Sequence, residues 1–302
     1  MKGNNTKAHL AVLSANLLYG ANYSIAKIAM PEYILPYAFI TIRVCIAAIL
    51  YFFLFKIIVK TESIKGKYKK FMLLALFGIA INQLLFFKGL SLTTPINAAL
   101  IMTTNPITVL IIASVFLKER ITKLKISGIL LGIIGAASLI LYGNQLQMSQ
   151  SNALGDLFIF INSISFAIFL VLAKPIMKQY QPLTVMFWLF FFGIFMVTPF
   201  GVGELKQVDW STLPTHAYLS IGYVVLGTTL IAYLCNLYAL KNLNASTVST
   251  YIYLQPVFAT LFALLFGKDI PNVLHLLAAV LIFTGVYLVS KPTNAVQKPR
   301  MD

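Results

Sequence analysis

Arg43 lies in the apolar run 34–56, about 13 Å in from its start at 1.5 Å per helical residue. At that depth of a bilayer a charge costs about 2.5–3.5 kcal/mol to insert, so a charge kept there has a use. No acid is placed to neutralise it. Glu32, Glu62, Glu119, Asp156, Glu204, Asp209, Asp269 and Asp302 all fall in loops, tails or at the ends of apolar runs. Two uses remain open: bonding backbone carbonyls freed by helix kinks, or attracting an anionic group on a solute. Amides share the apolar runs, among them Asn22, Asn82, Gln83, Asn105, Asn162, Asn236 and Gln255. An amide facing lipid is expensive, so these turn inward, toward a solute or toward another helix. Tyr19, Tyr233 and Tyr251 add ring faces and hydroxyls of the kind that line binding cavities. Lys88, in "FFKGLS" ahead of the "SLTTP" turn, is a second candidate for charge recognition, beside the ordinary role of a lysine at a helix end. Together these residues offer recognition of a solute by hydrogen bonds and charge.

Bond-making chemistry has no comparable set. There is no Ser-His-Asp arrangement, no cluster of histidine with carboxylates, no glycine-rich phosphate loop and no CxxC. No catalytic residue, metal ligand or cofactor is therefore assigned. His9, His216 and His275 stand near the ends of runs, and Cys45 and Cys235 read as packing residues. The lack of a deep carboxylate also argues against proton-coupled exchange of a cationic drug. A neutral, zwitterionic or anionic solute suits the residues better.

The composition dictates what must position these groups. The chain has 302 residues, 59% hydrophobic and 10% charged, against about 25% charged in a soluble domain. That is too few to cover a water-facing surface, so the chain reads as an all-α integral membrane protein. Apolar runs of spanning length cover 9–28, 34–56, 71–90, 95–117, 124–142, 154–174, 182–202, 217–240, 244–266 and 271–290, predicting ten transmembrane helices. The runs do not alternate with period two, which argues against a β-barrel. With the N-terminus inside, only Lys27, Lys88, Lys206 and Lys268 fall in outside segments; apart from Arg43, the other lysines and arginines fall inside. The positive-inside rule then predicts N-in/C-in, and the net charge of +15 becomes a topology signal. No solvated basic domain remains for nucleic acid.

The ten runs divide into two sets of five. "TNPITVLIIASVFLKE" from Thr104 lies over "LQPVFATLFALLFGKD" from Leu254, and "LYGANYSIAK" from Leu18 over "SFAIFLVLAK" from Ser165. Pro36 lies over Pro182 and Gly135 over Gly285. The predicted halves are 1–148 (spans 1–5) and 149–302 (spans 6–10, with a short cytoplasmic tail). Five is odd, so the second half enters the membrane inverted, the arrangement on which alternating access rests. Pro106 and Pro256 fall midway along spans 4 and 9, each directly after an amide. Each is expected to kink its helix and free a carbonyl near the midplane. Gly128, Gly132 and Ala136 give span 5 a small-residue face for close helix contact, inside one chain or between two.

The "LLYG" opening, the arginine of span 2, "GLSLTTPINAALI…NPI" through spans 3 and 4, and the "FLKER" exit resemble the EamA-type family of the drug/metabolite transporter superfamily. The resemblance covers essentially the whole chain. It implies a ten-helix carrier of the bacterial inner membrane, commonly an exporter of amino acids or other small metabolites. The expected partners are a small-molecule substrate and membrane lipid. A monomer is expected, with a homodimer as the alternative. The other readings are a lipid-linked substrate flippase of the same fold, an intramembrane enzyme, and a structural subunit.

Overall fold

The computed structural model describes residues 2–59, 62–142, 153–265 and 273–291. Lys268, Asp269 and the boundary between the two expected halves at 148/149 lie outside them. Among the described residues the chain is all-helical. The α-helices are α1 (Lys2–Ala29), α2 (Pro36–Leu54), α3 (Tyr68–Ala75), α4 (Ile81–Leu92), α5 (Pro95–Met102), α6 (Asn105–Phe116), α7 (Lys123–Tyr142), α8 (Ala153–Met177), α9 (Pro182–Leu205), α10 (Thr215–Tyr223), α11 (Ala232–Asn242), α12 (Ala245–Thr250), α13 (Leu254–Leu265) and α14 (Val273–Ser290). Six stretches among them are long and apolar enough to cross a membrane: Pro36–Val59, Tyr68–Leu92, Asn97–Phe116, Ala153–Met177, Pro182–Leu205 and Thr215–Asn242. α1 is long enough as well, but Asn16, Tyr19, Asn22 and Tyr23 dilute its apolar character.

Several of the expected spans are composite. A π-helical segment, Leu76–Ala80, joins α3 to α4, and another, Val224–Ile231, joins α10 to α11. α5 and α6 are separated by Thr103 and Thr104, and a 3-10 turn, Tyr251–Tyr253, separates α12 from α13. Pro106 and Pro256 each fall in the first turn of the helix that follows the break, where a missing N–H costs nothing. Each span is thus two helices in series, where the sequence suggested one kinked helix. At the first break two carbonyls accept both the N–H and the hydroxyl of a threonine three residues on. Thr103 Oγ1 donates to Leu100 O at 2.6 Å and Thr104 Oγ1 to Ile101 O at 2.7 Å.

Four helix pairs build the bundle: α7 with α14, α2 with α9, α4 with α8, and α1 with α11. Small residues let the backbones close. A Cβ on Gly128 would lie 2.6 Å from Gly285 O, and one on Gly135 would lie 2.8 Å from Ala278 O. As α7 advances, α14 recedes, so the two run antiparallel. Gly132 is covered by the Tyr253 ring and Ala136 is fully buried, so the small-residue face of span 5 is used within this chain. Between α4 and α8, Gly89 and Gly155 meet in the same manner.

Charged side chains seal helix ends. Glu204, at the end of α9, accepts from Tyr37 N (2.7 Å) and Ala38 N (3.0 Å) at the start of α2. Glu62, beyond the end of α2, accepts from Gln181 N (3.0 Å) and Thr184 Oγ1 at the start of α9. Each carboxylate meets the positive end of the partner's helix dipole, and the exchange requires α2 and α9 to be antiparallel. Lysines do the converse. Lys27 Nζ donates to Thr93 O (2.8 Å) at the end of α4, and Lys174 Nζ to Leu240 O and Leu243 O (2.6 Å each) at the end of α11. Both lysines thereby satisfy orphan C-terminal carbonyls.

Candidate functional site

The polar groups converge on one central cavity that encloses about 690 Å³ of atom-free space, its opening included. α1 contributes Asn16, Tyr19, Asn22 and Tyr23; α2 contributes Arg43; α4 contributes Asn82, Gln83, Phe86 and Phe87. From the second half come Asn162 and Phe166 on α8, Thr228, Tyr233 and Asn236 around α11, and Gln255 on α13. An α-helix returns a residue to the same face every three or four positions. That periodicity explains the spacing of 16, 19 and 23 on α1, of 82–83 and 86 on α4, and of 162 and 166 on α8.

The π-helical segments set the depth of the polar groups. A widened turn leaves carbonyls without their usual partners, and neighbouring side chains take them up. Ser165 Oγ donates to Phe77 O (2.7 Å) and Tyr233 OH to Gly78 O (3.2 Å). Tyr51 OH lies 2.8 Å from Thr229 O and 3.0 Å from Leu230 O. These bonds tie α8, α11 and α2 to the widened turns beside the cavity.

Arg43 is 4% exposed. Its Nε–H donates to Thr229 Oγ1, and Thr229 spends its own proton on Val224 O at 2.7 Å. The guanidinium carbon lies 5.2 Å from the Phe87 ring centroid, a cation–π contact. Among the described residues no carboxylate pairs with it; the ion pair found there is Lys125–Glu119, at 3.0 Å. Of the two uses the sequence left open, Arg43 therefore takes a hydroxyl and a ring instead of backbone carbonyls. Its terminal nitrogens have no protein partner among the described residues.

The amides are oriented by bonds that allow one direction only. Asn162 Nδ2 donates to Asn82 O at 2.6 Å, and a backbone carbonyl can only accept. Gln83 Nε2 donates to Tyr233 OH at 3.1 Å, because the tyrosine has given its proton to Gly78 O. The oxygens Asn162 Oδ1 and Gln83 Oε1 are left buried without a partner, as are Asn22 Oδ1 and Asn236 Oδ1. A buried acceptor in that state costs about 1–3 kcal/mol, and it calls for a donor from elsewhere. The cavity thus offers a cation without an anion, several acceptors without donors and, among the described residues, the Tyr19 hydroxyl without a partner. Aromatic rings share the cavity: Tyr19 meets Tyr233 edge-on at 6.3 Å and Tyr23 meets Phe86 at 5.7 Å.

Of the residues singled out from the sequence, Tyr19, Asn22, Arg43, Asn82, Gln83, Asn162, Tyr233, Asn236 and Gln255 line this cavity. Three lie elsewhere. Asn105 is fully buried between α6 and α8, its Nδ2 bonded to Ser163 O at 2.7 Å. Tyr251 lies in a separate groove, its hydroxyl 2.7 Å from His9 Nδ1. The Lys88 ammonium stands 5.6 Å from the Tyr37 ring centroid. Sequence reasoning missed Asn16, Tyr23, Phe86, Phe87 and Thr228. Asn16 and Tyr23 carried the same signal as Asn22 and Tyr19, polar groups on an apolar helix. The phenylalanines had none, being ordinary residues of an apolar run.

A polar cavity enclosed by a bundle of apolar, partly broken helices defines a class: multi-pass membrane transporters. Comparison with known proteins supplies the family. The chain belongs to the EamA-like transporter family, which it matches over residues 6–141 and 153–291. It is similar to the uncharacterized transporter YyaM of Bacillus subtilis, with 28% identity over 285 residues and 93% of each chain covered. An uncharacterized transporter of Archaeoglobus fulgidus is 24% identical over 291 residues, covering 95% of this chain and 98% of that one. A probable terminal-alkyne amino-acid exporter of Streptantibioticus cattleyicolor is 24% identical over 197 residues, covering 65% of this chain and 64% of that one. A solved crystal structure superposes with a TM-score of 0.76 over 94% of this chain and 96% of that one, at 16% identity, and so shares the fold.

Proposed function

We propose that this protein is a secondary transporter of the bacterial inner membrane that exports a small zwitterionic metabolite, an amino acid in type, by alternating access around the central cavity. The observation that carries the reading is the chemistry left unsatisfied there. Among the described residues Arg43 has no acid partner, and several amide oxygens have no donor. A carboxylate on the solute answers the first and an ammonium group answers the second, and charge-assisted hydrogen bonds are the strong ones. The aromatic rings of the same cavity suit an apolar side chain. The amino-acid exporter among the relatives favours the same solute class.

The proposed frame is ten membrane crossings in two inverted five-helix repeats, with both termini inside. Its support is that matched residues make matched contacts. Gly128 meets Gly285 while Gly135 meets Ala278. Lys27 holds the end of α4 while Lys174 holds the end of α11. Gln83 bonds Tyr233, its own counterpart in the other half, as residues on a twofold axis do. α2 and α9, also counterparts, run antiparallel. Halves so related exchange conformations at little cost, which is what alternating access needs.

The test is counterflow in proteoliposomes loaded with pooled unlabelled amino acids and challenged with labelled ones. Saturable accumulation that is lost in Arg43→Ala supports the reading. The absence of flux for every amino acid, with small organic acids transported equally by both proteins, would overturn it.

A further inference from the structure

Two contacts near the centre of the molecule join corresponding positions, one ending on a backbone carbonyl and the other on a side-chain oxygen. Asn105 opens α6, and its Nδ2 donates to Ser163 O on α8 at 2.7 Å. Gln255 is its counterpart in the second half, and its Nε2 donates to Asn16 Oδ1 on α1 at 2.8 Å. Ser163 and Asn16 correspond by the register that sets Lys174 over Lys27. Each amide precedes a proline at a helix break, so each stands where a helix can swing.

Their surroundings differ. Gln255 and Asn16 line the cavity, and Gln255 Oε1 accepts from Tyr23 OH at 3.1 Å. Asn105 is shut away at 0% exposure, and its Oδ1 is buried without a partner. Beside it, Thr104 Oγ1 and Ser163 Oγ stand 3.4 Å apart, which brings α6 and α8 side chain to side chain. Halves this similar in contact pattern differ here in one respect: the second half's amide faces the open space and the first half's is closed off.

We propose that Asn105 borders the substrate cavity in the opposite-facing state, as Gln255 borders it in this one. When α6 parts from α8, Asn105 turns its unpartnered oxygen to the cavity, and α13 closes on α1 around the Gln255–Asn16 bond. In the state described here both amide bonds are made, and what differs is that only the Gln255–Asn16 pair borders the cavity. The inference rests on the transporter reading above, and it adds which residues exchange.

Two arms test it, both in a Cys45→Ala/Cys235→Ala background. In the first, Thr104→Cys with Ser163→Cys places two thiols at side chains already in contact. Oxidation is expected to abolish counterflow, and reduction to restore it, so misfolding is excluded within one sample. Oxidised protein that carries solute as well as reduced protein would overturn the exchange. The second arm needs no substrate and reads maleimide labelling of Asn105→Cys against Val44→Cys, a position equally buried on α2. A minor functional state is populated at about 0.1–10% and the unfolded state at about one in a thousand or less. A functional second state populated at about 1% or more should therefore let Asn105→Cys label about tenfold faster or more, and equal slow rates would overturn a second state at that population. If the reduced protein carries no solute, the transport reading fails, and the labelling ratio still decides whether Asn105 is exposed in a second state.

Discussion

Replacing Arg43 by alanine separates recognition of a carboxylate from everything else the residue does. The guanidinium is buried, so its removal relieves an insertion cost of about 2.5–3.5 kcal/mol. Against that stands the lost cation–π contact with Phe87, 5.2 Å away, worth about 0.5–2 kcal/mol. Thr229 keeps its bond to Val224 O, so no donor is orphaned. The relieved cost exceeds the lost contact by about 0.5–3 kcal/mol, a margin to set against the cavity left by the side chain, and the variant should fold and insert. What it loses is the charge-assisted hydrogen bond to the solute, about 1.5–3 kcal/mol. At 1.4 kcal/mol per tenfold, the half-saturation concentration for a carboxylated solute should rise about 10- to 150-fold. The assay is counterflow with an amino acid and with the amine that lacks its carboxylate. Arg43→Ala should weaken the first by that factor and leave the second unchanged; Arg43→Gln, which keeps a donor without the charge, should fall between. Equal losses for both solutes would mean that Arg43 shapes the cavity through Thr229 and Phe87. No loss for either would remove it from recognition altogether.

The frame makes predictions of its own. Gly128→Ala and Gly285→Ala each push a methyl group to within 2.6 Å of a facing carbonyl. Each should cost about 1–3 kcal/mol, read as a lower thermal midpoint in detergent, whereas Gly203→Ala, with nothing within 4 Å, should be silent. Lys27→Met and Lys174→Met each strip a helix end of its charged donor, and each should lower the midpoint by a similar amount, about 1–3 kcal/mol in free energy. Glu119→Gln leaves Lys125, with its side chain 4% exposed, as an unpaired buried charge at the start of α7. It should cost about 3–5 kcal/mol, and Lys125→Met added to it should recover most of the loss.

What the sequence disclosed and what it hid follow one physical division. Anything written as a contrast of polarity against an apolar background was legible. Arg43, Gln83, Asn162 and Asn236 stand out because a polar group at that depth must be answered by protein or solute. What depends on backbone geometry inside an apolar run was hidden. Nothing in "LFGIA" or "VVLGTTLI" distinguishes a π-helical segment from an α-helix, yet those segments decide that Tyr233, Ser165 and Tyr51 bond carbonyls. Asn105 shows the same limit from the other side. Its position before Pro106 was legible; whether its amide faced a cavity or a neighbouring helix depended on how α6 meets α8, a matter of a fraction of a helical turn. Glu119 read as a loop residue by position. In the fold it is nearly buried, accepting from Lys125, Ser246 and the Ala245 amide at the start of α12. A loop folded back over a helix end leaves no periodic trace in a sequence.

The two halves agree in contacts and disagree in chemistry, and that disagreement bears on function. Where the proposed repeat sets Tyr19 over Phe166, Tyr23 over Leu170 and Gln83 over Tyr233, all six residues line the cavity. In the first two pairs the polar member belongs to α1. Arg43 also comes from the first half, so it and the tyrosines stay on one side of the axis whichever way the cavity opens. The amide oxygens, by contrast, are divided between the halves: Asn22 and Gln83 from the first, Asn162 and Asn236 from the second. A zwitterion held by such a site keeps its carboxylate pole with the first half in both states. Its ammonium pole has acceptors on either side of the axis to exchange. On the proposed mechanism, a repeat with equal chemistry in both halves would have to turn its solute over to rebind it, whereas unequal halves would let the solute stay still while the helices move. The Arg43 variants test that arrangement directly, because Arg43→Ala should then weaken carboxylate binding equally from both faces of the membrane. Sidedness of the effect, measured by counterflow with protein reconstituted in one orientation, would show that the arginine serves only one of the two states.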